Sequence, residues 1–129
     1  MSKTITLVED DIDAALMLKR ILVKAGYQVN ILPEGRDIVE DRLTVPDVFI
    51  LDNYMPTIHG VALCKYLKLK SKTNMVPVII ISGSHHVEER AKAAGAAFFL
   101  KKPFHADELL MRIGNLFSDN DSHNSRSKK

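Results

Sequence analysis

The sequence predicts an α/β fold: a parallel five-stranded sheet with helices on both faces. Three observations predict it. Five short apolar runs rich in Val, Ile or Phe recur along the chain, and segments with helical spacing separate them. Several of the runs are nearly continuous rather than alternating, as strands buried on both faces require. Right-handed crossovers leave few topologies for such a chain, of which the Rossmann-like and flavodoxin-like strand orders are the common ones.

The first strand is read at residues 5–8. In the helix that follows, Ala14, Leu18, Ile21, Leu22 and Ala25 share one face, and Gly26 supplies the stop. A second strand is read at 29–32, then a short helix at 38–43 closed by Pro46, then a third strand at 48–51. Leu63, Cys64 and Leu67 form the apolar stripe of the third helix. The fourth strand, 78–81, leads to a narrower stripe of Val87, Ala91 and Ala94 that ends at Gly95. After a fifth strand at 98–100, Leu109, Leu110, Ile113, Leu116 and Phe117 share one face of the last helix.

A length of 129 residues sets a prior of one domain, and 46% apolar with 26% charged residues is ordinary for a globular chain. The 18 basic and 16 acidic residues leave a net charge of only +2, which gives no support to electrostatic nucleic-acid binding. No apolar run is long enough to span a bilayer, and no signal-peptide core precedes the first strand, so the expected location is the cytoplasm. The lone Cys64 rules out an internal disulfide and a Cys-based metal site, and its place on an apolar helix face reads as core packing. The domain is expected over residues 1–117. Residues 118–129 are polar, lack apolar periodicity, and are expected to be a disordered tail.

Ligands of open α/β sheets bind at the carboxyl ends of the strands. There the sequence places Glu9-Asp10-Asp11, then Asp52-Asn53-Tyr54, then Ser82-Gly83-Ser84, then Lys101-Lys102-Pro103-Phe104. The first loop carries three carboxylates and no glycine, so it repels a bare phosphate and attracts a hard cation. Asp10 and Asp52 on neighbouring strands suit Mg²⁺, which takes one or two carboxylates and keeps water elsewhere. Asp52 also ends a buried apolar run, where an ionised carboxylate is costly unless paired. Singly, each residue has a plain reading: Asp11 and Asp13 as helix caps, Asp52 as a turn residue, Ser82 as a cap, Lys102 as a surface lysine. Convergence on one sheet edge is what argues for a site. His85-His86 are adjacent on a helix start and point apart, which favours two surface residues over a metal site. Lys65, Lys68, Lys70 and Lys72 read as a solvated helix end favourable to the helix dipole.

Four motifs, in this order and spacing, carry a family resemblance: Leu7-Val8-Glu9-Asp10-Asp11, Ile50-Leu51-Asp52-Asn53-Tyr54-Met55-Pro56, Ile80-Ile81-Ser82-Gly83 and Leu100-Lys101-Lys102-Pro103-Phe104. Over residues 4–117 the chain resembles the receiver domain of two-component response regulators, chemotaxis-regulator-like in having one domain. The resemblance implies a flavodoxin-like three-layer (βα)5 sandwich with strand order 2-1-3-4-5. It implies that Asp52 is the phosphoacceptor, taking its phosphoryl group from a sensor histidine kinase, a histidine phosphotransfer protein or a small donor. It assigns Mg²⁺ to Asp10, Asp52 and the backbone carbonyl of Tyr54, with Glu9 acting through water. Lys102 would supply a point charge to the phosphoryl oxygens. Ser82 would be the switch hydroxyl and Phe99 the switch aromatic, with backbone groups of Asn53 and Gly83 touching the phosphoryl group. The Lys102–Pro103 bond would be cis.

The implied output is a phosphorylation-dependent change of protein partner, without direct nucleic-acid contact or membrane insertion. A phosphorelay intermediate would use the same pocket. An aspartate-nucleophile phosphatase of the haloacid dehalogenase type is the alternative of another class, but its second Asp would fall at Tyr54, which cannot act as that acid/base. Several local features distinguish the chain within the resemblance. Tyr54 is bulky beside the site and is expected to restrict water, Gly83 leaves room above the phosphoryl group, and Phe99 has no hydroxyl with which to signal. The stretch 95–98 lacks the paired acids of receivers that dimerise on their fourth and fifth helices, which argues against that dimer mode.

Overall fold

The computed structural model describes the backbone of residues 2–40, 44–54 and 58–127, and side chains as far as Ser118. Strands β1 (Thr4–Val8), β2 (Gln28–Leu32), β3 (Val48–Asp52), β4 (Val78–Ser82) and β5 (Phe98–Lys101) alternate with five helices. These are α1 (Ile12–Lys24), α2 (Arg36–Val39), α3 (Gly60–Leu69), α4 (Val87–Ala93) and α5 (Ala106–Ser127). All four pairings are parallel and the order is β2-β1-β3-β4-β5, which selects the flavodoxin-like topology over the Rossmann-like one.

The period of two along each strand divides the interior into two cores. Ile5, Leu7, Ile50, Ile79 and Ile81 face α1 and α5, meeting Leu18, Leu22, Leu109, Ile113 and Phe117. Val8, Phe49, Leu51, Val78 and Ile80 face the other way, onto Ile38 of α2, Leu63, Cys64 and Leu67 of α3, and Val87 and Ala91 of α4. Both faces of β3 and β4 are thereby covered, and every residue of these two strands is buried. Cys64 packs as read. It is fully buried, its Sγ lies 3.4 Å from the Ala94 carbonyl, and burial pushes its thiol pKa up.

Gly26 and Gly95 end their helices at φ 103° and 98°, the left-handed region a glycine enters without strain. The buried stripe of α1 is Ala15, Leu18 and Leu22; Ala25, placed on that stripe from spacing alone, is the exposed C-cap. The helix expected at 38–43 starts earlier and is short, Arg36–Val39, while residues 41–43 lie outside the described set. Over residues 118–127, read from the sequence as a polar tail, the backbone of α5 runs on as helix to Ser127. The apolar stripe stops at Phe117, but an existing helix extends at the cost of ordering one residue per added hydrogen bond, with no new nucleus to form. Among the described residues no helix is long and apolar enough to cross a membrane.

Candidate functional site

Strand register brings the site together. Val8 stands opposite Leu51, so Glu9 and Asp52 follow one residue on, and Asp52 and Ser82 pair with Ile81 and Lys101 on the neighbouring strands. Glu9 is 3% and Asp52 7% exposed, whereas Asp10 is open to solvent. Carboxylate oxygens from all three lie within 4.8 Å of one another. Lys102 closes the cluster, its Nζ 3.0 Å from Asp52 Oδ1 and 3.4 Å from Glu9 Oε1. Its backbone is fixed by an N–H donated to the Ser82 carbonyl at 2.8 Å, and the Lys102–Pro103 bond is cis.

Three acids against one ammonium leave the cluster short of positive charge. Burial, then repulsion from Asp52, raises Glu9 from 4.5 to about 7, against opposing attraction from Lys102. Burial alone would lower Lys102, but hydrogen bonding and charge from Asp52, then Glu9, outweigh it and hold its pKa above the usual lysine value. An all-oxygen set of this kind, with two members buried, fits a hard divalent cation such as Mg²⁺.

A raised carboxyl pKa means that the folded state prefers the protonated form. The associated stability is full below pH 4.5 and is lost as pH rises through about 7. In metal-free buffer Glu9→Gln is therefore expected to gain on the order of 2 kcal/mol over the parent at about pH 8 and nothing at about pH 4. Urea denaturation with a chelator at both pH values checks this; a difference independent of pH would contradict it.

The other expected residues lie around this cluster in different ways. Ser82 is fully buried, its Oγ accepting from the Ser84 N–H at 3.1 Å. Phe99 is half-buried and packs on the core beneath α3 and α4. Tyr54 is half exposed, its ring edge-on to His59 with centroids 6.1 Å apart, and Gly83 is exposed. The backbone N–H of Asn53 is donated to the Ile81 carbonyl at 3.0 Å, which ties it to β4.

Asn53 also holds the start of α3. Its carbonyl accepts from the Gly60 N–H and its side-chain Oδ1 from the Val61 N–H, each at 3.1 Å, so it caps the helix from eight residues upstream. Gly60 lies directly on the Asp52 backbone, where a Cβ would stand 2.7 Å from the Asp52 carbonyl oxygen. Sequence reasoning missed both as positioning residues. The available signal was an Asn immediately after the strand-end Asp and a Gly opening the next helix.

Asp11 caps α1 as read, accepting from the Ala14 N–H at 3.1 Å. His85 and His86 are exposed with rings 4.7 Å apart, outside the acidic group. The lysine run divides: Lys68 Nζ donates to the Val76 and Asn74 carbonyls at 2.8 and 3.3 Å, and Lys70 covers the Tyr66 ring at 5.2 Å.

The family model for the response regulator receiver domain matches residues 5–114. The chain belongs to that family. A phosphate regulon transcriptional regulatory protein, PhoB of Rhizobium meliloti, is 32% identical over 117 residues, 88% of this chain and 51% of that protein. Response regulator RppA of Synechocystis is 34% identical, over 84% of this chain and 48% of its own length. The chain thus spans about half the length of the curated relatives it matches. A putative response regulator from Chloroflexus aurantiacus superposes with a TM-score of 0.86 at 30% identity, covering 92% of this chain and 99% of the other. The signal receiver domain of a histidine kinase from Syntrophus aciditrophicus gives 0.84 at 34% identity, with 92% of each chain covered. Receiver domains are signalling domains, and membership sets aside the haloacid-dehalogenase reading.

Proposed function

We propose that this receiver takes a phosphoryl group on Asp52 and signals by changing which protein it binds. The supporting observation is Asp52 itself: a buried carboxylate at the end of a central strand, with Lys102 Nζ at 3.0 Å and two further acids alongside. An Asp52 oxygen attacks phosphorus on the phosphohistidine of a sensor kinase or histidine phosphotransfer protein. The O–P bond forms as the N–P bond breaks, and its electron pair returns to the donor imidazole. Asp10, Asp52 and the Tyr54 carbonyl would hold Mg²⁺, with Glu9 reaching it through water; the bound ion supplies charge neutralisation to the phosphoryl oxygens.

Lys102 contributes the second fixed positive charge. It is already ordered by Ser82 and the acids before a donor arrives, so little reorganisation is needed. The exposed Gly83 leaves room for its N–H to meet the new oxygens. Ser82 gives up the Ser84 N–H to donate its hydroxyl hydrogen to the phosphate, and Phe99 moves with it at the face of the α3–α4 core. The test is incubation with acetyl phosphate and Mg²⁺ followed by intact mass. One phosphoryl adduct is expected in the native chain and none in Asp52→Asn; no adduct, or equal adducts, would overturn the reading.

The likeness to a histidine kinase's receiver domain supports a second reading, transfer onward to a histidine phosphotransfer protein. A chase of the phosphorylated chain with such a protein separates the two by whether label moves to histidine. Tyr54 bears on the lifetime of the phosphorylated state. Its half-exposed ring beside Asp52 narrows the approach of water, so Tyr54→Ala is expected to lose phosphate about three- to tenfold faster. Phosphate release after removal of donor measures this, and an unchanged rate would exclude the shielding role.

A further inference from the structure

Asn53 also lines a groove of about 350 Å³ between α3 and α4. Ala62 and Lys65, three apart on α3, face Arg90 and Ala93, three apart on α4, and His59 and Asn53 close one end. The two alanines keep the groove open while the longer side chains bring nitrogen to its rim. Lys65, Arg90 and His59 are exposed, and no carboxylate lines the groove among the described residues. On α4, Glu88 is engaged by Lys92 at 3.3 Å.

The second, independent observation concerns Asn53. It is 1% exposed, and its Oδ1 is fixed as acceptor by the Val61 N–H, which settles the orientation of the amide. Its Nδ2 is buried with no hydrogen-bond partner among the described residues. A buried amide donor left unmade carries a desolvation cost that an acceptor atom would remove. A groove whose charged lining is basic, beside a buried amide donor left unmade, suits an oxyanion.

We propose that the α3–α4 groove binds a phosphomonoester, whose oxygens are held by Lys65, Arg90 and His59 and approach the unpartnered amide of Asn53. The groove is larger than a free phosphate ion requires, which favours an ester over the ion. Because Asn53 follows Asp52 directly and caps α3, an occupied groove adjoins the acidic cluster through one residue.

The test is NMR titration of the full chain with adenosine monophosphate and, separately, inorganic phosphate, in magnesium-free buffer. Saturable shifts are expected at the Asn53 side-chain amide, His59 and Arg90, with the ester binding more tightly than the ion. Lys65→Gln and Arg90→Gln, both at exposed positions, are expected to weaken binding about tenfold each. Asp52→Asn is expected to leave binding unchanged, which keeps this result separable from phosphorylation at Asp52. Shifts that fail to saturate, that bypass Asn53, or that persist undiminished in both groove variants would overturn the proposal. So would equal affinity for the ion and the ester.

Discussion

Lys102→Ala is expected to slow phosphoryl uptake from acetyl phosphate by about two orders of magnitude, the usual cost of removing one preorganised charge from a developing anion. The Nζ stands 3.0 Å from Asp52 Oδ1 and 3.4 Å from Glu9 Oε1, and backbone bonding to Ser82 aims it there. Its loss also leaves two buried carboxylates without their cation, so the metal-free variant is expected to unfold at lower urea than the parent. Added Mg²⁺ should narrow that stability gap while leaving the rate defect. Lys102→Arg keeps the charge but replaces a point donor with a planar fork, and is expected to recover stability better than rate. Single-turnover phosphorylation followed by intact mass, with urea curves in parallel, measures both. A variant phosphorylated at the parental rate would show that the lysine does not act on the transferring group.

Gly60→Ala has the largest expected effect on the fold itself, a loss of about 3 kcal/mol. A Cβ at this position would lie 2.7 Å from the Asp52 carbonyl oxygen and 3.0 Å from the Asn53 Cα. Both are backbone atoms, so no flexible side chain can yield. Alanine's better helix propensity returns only about 1 kcal/mol. Relief requires α3 to lift from β3, which breaks the bonds from Gly60 and Val61 to Asn53 and displaces Asp52 with them. Reduced phosphorylation should therefore accompany reduced stability. Parental denaturation midpoints in Gly60→Ala would show that α3 is not seated on this contact.

The legibility of the site follows from how it is built. Glu9, Asp10, Asp52 and Lys102 each lie within two residues of the end of an apolar run, and in a parallel sheet every such position reaches the same edge. Reading strand ends was enough to gather them. Asn53 was harder, because a cap reaching from a strand end to a helix start leaves no local pattern, and its N–H is committed to the sheet. Gly60 signals a turn in sequence, whereas its close approach to Asp52 exists only in three dimensions. The lysine run looked uniform because spacing cannot tell Lys68, tied to two carbonyls, from Lys65, which lines an open groove. Apolar periodicity located α5 but not its end, since the helix runs on to Ser127, past the last residue of the apolar stripe.

The central claim is that phosphoryl chemistry occurs on Asp52, and reductive trapping tests it most directly. Borohydride converts an acyl phosphate to the corresponding alcohol, so the chain treated with acetyl phosphate and Mg²⁺ should carry homoserine at position 52 on peptide mapping. The same treatment of unphosphorylated protein should leave aspartate there. Homoserine at position 10, or a phosphoryl adduct that survives borohydride unchanged, would contradict the account.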